Sequence, residues 1–111
     1  MTLLPTDNER TGAPDVFGAL ANPARRHILM ALRAGARTAA ELGEGLPIAR
    51  PAVSEHLALL RAVGLVRVQK RGRERYYHLD PRPLTEVGTW LNAVLAFWTL
   101  RLSDLKALGE G

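Results

Sequence analysis

Serine, glutamate and histidine stand side by side at Ser54-Glu55-His56, the side-chain types from which a nucleophile, an orienting carboxylate and a base are assembled. Their spacing rules that chemistry out. Consecutive residues of a helix fan around about 200° of its circumference, so the three groups cannot converge on one reacting atom. No glycine-rich phosphate loop and no paired-carboxylate cleft signal accompanies them. The expectation is a protein that binds rather than one that catalyses, with no cofactor.

The cations tell more about what is bound. From Arg25 to Arg75 the chain carries eleven Lys/Arg against four Asp/Glu, a net +7, while the remainder carries four against seven, a net −3. Such a middle either attracts a polyanion through counterion release or serves only as a soluble basic surface. Lys70, Arg71, Arg73 and Arg75 crowd around Gly72, an arrangement that is costly without an anion nearby. Arg25 and Arg26 follow Pro23 at the start of a helix, where the dipole disfavours cations by a few tenths of a kcal/mol. Either an external anion or a local acidic partner would offset that cost.

The elements that must position these groups follow from periodicity and punctuation. Residues 1–14, with Pro5, Gly12 and Pro14, read as a loose arm, and residues 15–108 as one domain. Asp15 caps a short helix carrying Val16, Phe17 and Leu20, which stops at Asn22-Pro23. Ile28, Leu29, Ala31 and Leu32 recur at helical spacing until Gly35. Thr38 and Glu41 have the spacing of a capping box, and Gly43, Gly45 and Pro47 close that third helix. A fourth helix spans about Arg50 to Val63, with Pro51 in its first turn. It turns Val53, Leu57 and Leu60 inward and Pro51, Ser54, Glu55 and Ala58 outward.

Gly64 ends the fourth helix, and Leu65 to Gln69 alternates as a half-buried strand does. Gly72 permits a tight turn and Arg75 to Leu79 returns as a second strand, a wing with a cationic tip. After Pro83, Leu84, Val87, Leu91, Val94, Trp98, Leu102 and Leu105 repeat every three or four residues. Leu95, Phe97 and Leu100 widen that stripe beyond the needs of one small core, so it calls for a partner helix, most simply that of a second copy. The predicted class is mainly α with a small β-hairpin: a winged helix-turn-helix of five helices and a two-stranded antiparallel wing.

Four segments, in order, resemble the ArsR/SmtB family of bacterial transcriptional repressors. They are Phe17 to Leu29 (FGALANPARRHIL), Arg50 to Leu57 (RPAVSEHL), Leu60 to Val66 (LRAVGLV) and Gly72 to Leu79 (GRERYYHL). The resemblance implies a homodimer joined by the first and last helices, binding double-stranded DNA. It further implies recognition helices in successive major grooves about 34 Å apart over a pseudo-palindromic operator. Dimer contacts are then expected at Phe17, Leu84, Val87, Leu91, Val94, Leu95, Trp98, Leu102 and Leu105.

On that basis Arg50, Pro51 and Ser54 are expected at base edges or phosphates, as are Arg25, Arg26 and Arg61, with Lys70, Arg71, Arg73 and Arg75 on the backbone or minor groove. Glu55 either accepts from a cytosine N4 or pairs with Arg25 or Arg61. His56 is a phosphate donor or a satisfied structural histidine. Trp90, Phe97 and Trp98 line an effector pocket or, more in keeping with helical spacing, a core or dimer interface.

The metal-sensing side of that family is where the sequence departs. There is no cysteine; Thr38 and Ala40 occupy the slots that hold cysteines in arsenic- and cadmium-type members, and no histidine follows Pro81. His27, His56 and His78 sit on three elements without paired ligand spacing. The resemblance is therefore to the metal-independent branch, regulated by itself, a partner protein or a small effector. Neither a secretory leader nor a membrane-length apolar run is apparent, so a cytoplasmic location is expected. The alternative is a winged helix turned protein-interaction module with weak DNA binding, favoured by Glu55 and by Ala49 where a capping side chain would serve.

Overall fold

Side chains close the amino ends of the first three helices of the computed structural model, which describes residues 15–110, with side chains through Thr99 and at Arg101. The Asp15 carboxylate accepts from the Gly18 N–H at 2.7 Å and opens α1 (Val16–Leu20). Asn22 accepts from the Arg25 N–H at 3.1 Å and opens α2 (Pro23–Leu32), whose first residue is a proline that needs no partner. At α3 (Ala39–Glu44) the expected capping box is complete: the Glu41 N–H donates to Thr38 Oγ1 at 3.2 Å and the Thr38 N–H to Glu41 Oε1 at 2.9 Å. The fourth helix, α4 (Arg50–Ala62), has Ala49 at its cap and no side-chain acceptor there.

The capping box carries a pH dependence. The Thr38 backbone N–H, then its hydroxyl, holds the Glu41 carboxyl below its ordinary value of 4.5. A carboxyl lowered in the folded state stabilises the fold above the ordinary value, and that contribution is lost as pH falls through the lowered one. Thr38→Ala is expected to cost about 1 kcal/mol at neutral pH. Glu41→Gln is expected to diminish the drop in melting temperature between neutral pH and pH below 4.5. An undiminished acid-side drop in Glu41→Gln would assign the titration to another group.

The end of α4 is a Schellman turn. Gly64 adopts φ 82°, its N–H donates to the Arg61 carbonyl, and the Leu65 N–H donates to the Leu60 carbonyl, both at 3.0 Å. Leu60 and Leu65 are each 0% exposed, which supplies the apolar contact that accompanies this turn. Leu65 therefore belongs to the helix stop, and the strand expected to begin there begins one residue later, as β1 (Val66–Arg71). It pairs antiparallel with β2 (Glu74–Leu79) across the two-residue loop Gly72-Arg73. Gly72 takes φ 62° while Arg73 stays at negative φ, the combination of a type II′ turn.

Ile28, Val53, Leu57, Leu60 and Leu65 are the largest fully buried side chains and mark the core between α2, α4 and the wing base. Tyr77 adds a bridge to Arg37, donating its N–H to the Arg37 carbonyl at 2.8 Å and accepting in return at 3.1 Å. Asp80 closes the wing: its N–H donates to Leu65, and its buried carboxylate accepts from Arg67 Nε at 2.9 Å and Arg82 Nη2 at 2.7 Å. From there α5 (Leu84–Glu110) sends, among the described residues, only Leu84 and Val87 against the core, two positions expected from the sequence at a dimer contact. Trp90, Leu91, Leu95, Phe97 and Trp98, farther along, are 43–57% exposed. Among the described residues, five helices and a two-stranded wing make a winged helix-turn-helix, as expected from the sequence.

Candidate nucleic-acid interface

Pro51, Ser54, Glu55 and Ala58 form the exposed arc of α4, backed by Val53, Leu57 and Leu60 in the core. The arc follows directly from helical period: residues three and four apart share a face. Small side chains let the helix backbone come close to a flat partner. Beside it, a groove of about 410 Å³ is bounded by Thr38, Ala39 and Ala40 of the α3 start, Arg50 and Ser54 of α4, and Glu74, Arg75 and Tyr77 of β2. Arg50, Ser54 and Arg75 are thus brought together from two elements. Tyr77 and Thr38 join them unanticipated; Tyr77 was legible in principle, since it stands in phase with Arg75 along the strand.

The wing divides its cations between two faces. Register places Lys70 directly opposite Arg75, in phase with Val68↔Tyr77 and with Val66↔Leu79 on the core side. Like charges opposite one another destabilise a strand pair, so this couple is suited to an anion lodged between wing and recognition helix. Arg71 lies on the other face, its guanidinium 5.3 Å from the centre of the Tyr76 ring. The Tyr76 hydroxyl donates to Glu74 at 2.9 Å, and that bond raises the phenol above its ordinary pKa. Arg73 occupies the turn.

Arg25 and Arg26, read from the sequence as contacts to an external anion, have acceptors within the fold. Arg25 donates through Nε to the Ala19 carbonyl at 2.8 Å and through Nη2 to the Gly18 carbonyl at 3.2 Å. Arg26 donates through Nη1 to the Leu20 carbonyl at 2.7 Å. These are the terminal carbonyls of α1, the negative end of its dipole, which offsets the cost of placing two cations at the start of α2. The third arm of Arg25, Nη1, lies 3.3 Å from His56 Nδ1.

Glu55 corrects an expectation. Its carboxylate forms no ion pair with Arg25 or Arg61; among the described residues the ion pairs are those of Asp80 with Arg67 and Arg82. Arg25 is engaged elsewhere, and Arg61 lies six positions along the same helix, about 240° around it. Arg61 also stands apart from Arg50 and Ser54, lining a separate groove with Arg67, Asp80 and Arg82. Glu55 is left as an exposed acceptor on the outer arc.

The Phe17 ring meets Trp90 edge-on, with centroids 5.8 Å apart, so α1 leans on α5 within one chain. Phe97 and Trp98 make a second edge-on pair, with the Arg101 guanidinium 5.6 Å from the Phe97 centroid. Val94 is half-buried, and the side chains of Leu102 and Leu105 lie outside the described residues. No three histidines, cysteines or carboxylates come together as a metal site among the described residues.

Comparison with known proteins agrees with this geometry. The pattern of a helix-turn-helix domain family matches residues 20–69. The chain is 40% identical over 97 residues to the HTH-type transcriptional regulator Rv2034 of Mycobacterium tuberculosis, covering 86% of this chain and 88% of that protein. It is 32% identical over 77 residues to the transcriptional repressor SdpR of Bacillus subtilis, covering 69% of this chain and 86% of that one. Among solved structures, an ArsR-like transcriptional regulator from Rhodococcus sp. RHA1 superposes with a TM-score of 0.68 at 36% identity, over 86% of this chain and 87% of that one. A two-stranded cationic wing set against the exposed arc of a recognition helix, together with these likenesses, makes the chain a member of the ArsR family of winged-helix, DNA-binding transcriptional regulators.

Proposed function

We propose that the protein is a homodimeric repressor that acts without a metal and reads a pseudo-palindromic operator. The observation that carries the DNA-facing part is the groove shared by Arg50, Ser54 and Arg75, flanked by the Lys70–Arg75 pair of like charges. In this reading Ser54 and Glu55 face base edges at the start of α4, with Glu55 accepting from a cytosine N4. Arg50, Lys70, Arg73 and Arg75 hold phosphates on either side, with Arg71 and Arg61 as outlying contacts. The exposed aromatic stripe of α5 supports pairing with a second copy. Metal independence is favoured by Thr38 and Ala40 at the α3 slots and by the scatter of His27, His56 and His78. No helix among the described residues is long and apolar enough to cross a membrane.

The test is fluorescence anisotropy of the protein against DNA upstream of its own gene, at two salt concentrations, with random duplex as competitor. Operator binding is expected to exceed random binding by about a thousandfold or more, with a steep salt slope. Weak binding abolished by competitor, together with capture of another protein through α5, would support the interaction-module reading that the apolar stripe also permits.

The wing supplies a sharper prediction. Lys70→Ala with Arg75→Ala is expected to weaken binding to all sequences alike and to lower the salt slope by about one unit per lost phosphate contact. Arg71→Ala, whose side chain lies on the Tyr76 face, is expected to change the slope less. Equal effects per removed charge on the two wing faces would contradict the division of cations by strand register.

A further inference from the structure

Apolar packing of Val53, Leu57 and Leu60 holds α4 in the core and sets the face it turns outward, but burial is non-directional and leaves the last few degrees of rotation to polar contacts at the edge of that face. Reading bases at the Ser54–Glu55 arc depends on that rotation. Among the described residues, one side-chain hydrogen bond joins α4 to another helix, and it runs from Arg25 to His56. A guanidinium can only donate, so His56 Nδ1 is the acceptor and the imidazole carries its proton on Nε2. The donor is itself immobilised. Arg25 Nε and Nη2 are spent on the Ala19 and Gly18 carbonyls, so the whole fork is anchored to α1 before it reaches α4.

We propose that Arg25 is a positioning residue for DNA reading: anchored on the carbonyl end of α1, it holds His56 and thereby fixes the rotation of the recognition helix. It touches no phosphate in this arrangement. His56 lies two residues beyond Ser54, so a change in its setting re-aims the Ser54–Glu55 arc while leaving the wing cations in place. Loss of the pin therefore degrades discrimination between sequences and leaves the electrostatic share of binding intact. The inference rests on the reading of α4 as the recognition helix.

The test measures affinity for operator and for random duplex at two salt concentrations, for the full chain and for Arg25→Gln, His56→Leu, His56→Gln and the Arg25→Gln/His56→Leu pair. Wild-type protein that fails to discriminate operator from random DNA would overturn the recognition-helix reading and this proposal with it; the proposal's own test begins once discrimination is seen. Arg25→Gln and His56→Leu are each expected to lower the operator-to-random ratio about tenfold. His56→Gln, whose amide oxygen can accept from Nη1, is expected to keep most of it. The double variant is expected to be no worse than the poorer single one, because both remove the same bond. The salt slope of Arg25→Gln is expected to match the parent. A slope lowered by about one unit in that variant would make Arg25 a phosphate contact and overturn the proposal. So would an unchanged ratio in folded His56→Leu, or additive losses in the double variant. Should Arg25→Gln not fold, with the Ala19 carbonyl left without its donor, the contrast between His56→Leu and His56→Gln decides alone.

Discussion

Leu95→Glu is expected to yield a folded monomer whose affinity for a two-fold operator has dropped by roughly 10²–10⁴-fold. Leu95 is 51% exposed and takes no part in the buried core, so a carboxylate there leaves the winged domain intact. It stands amid Trp90, Leu91, Phe97 and Trp98, a run of large apolar side chains that a lone domain has no reason to leave in water. A partner helix over that stripe would bury the new charge against apolar side chains, which is costly enough to prevent association.

The loss in affinity follows from geometry rather than from any lost DNA contact. In a dimer the second half-site is bound intramolecularly, at an effective concentration set by the rigid α5 pairing; a monomer forfeits that advantage while each recognition helix keeps its own contacts. Light scattering after size exclusion reads the mass, and anisotropy on whole and half operators reads the affinity. Half-site binding should be nearly unchanged. A parent protein that is monomeric, or a Leu95→Glu variant that stays dimeric with full affinity, would move the apolar stripe from self-association to another partner.

How much of this was legible beforehand depends on how local each interaction is. The capping box of Thr38 and Glu41, the Schellman stop at Gly64 and the glycine turn at Gly72 are closed by residues within five positions of one another, and each was readable from type and spacing. The arc of α4 was readable because helical period alone sorts its residues. What could not be read was the partner of a long side chain. Arg25 looked like an external contact because its acceptors are backbone carbonyls of α1, and carbonyls leave no mark in a sequence. The Arg37–Tyr77 bridge was missed because a single paired residue has no period. Strand alternation places Lys70 and Arg71 on opposite faces, but only the register with Arg75 and Tyr76 gives those faces their meaning.

Leu60→Ala is expected to cost about 2–5 kcal/mol of stability, among the largest effects of any single change in the domain. The side chain is 0% exposed, so truncation loses its burial and opens a cavity that close-packed neighbours fill only partly. Position adds a second cost. Leu60 accepts the Leu65 N–H and packs on Leu65 at the stop of α4, so the cavity lies under the turn that aims the chain into β1. Gly64 at φ 82° stays compatible with the turn, but the apolar clasp that selects it is weakened. Leu59, only partly buried against the same core, serves as the comparison, and Leu59→Ala is expected to cost clearly less. The melting temperature of Leu60→Ala should drop by at least about 10 °C. Because Ser54, Arg50 and the wing cations lie outside the cavity, operator affinity measured well below that lower melting temperature should remain near the parent's. A loss under about 1 kcal/mol by urea titration would mean that the core can collapse around the missing side chain, and that Leu60 is not what locks the end of the recognition helix.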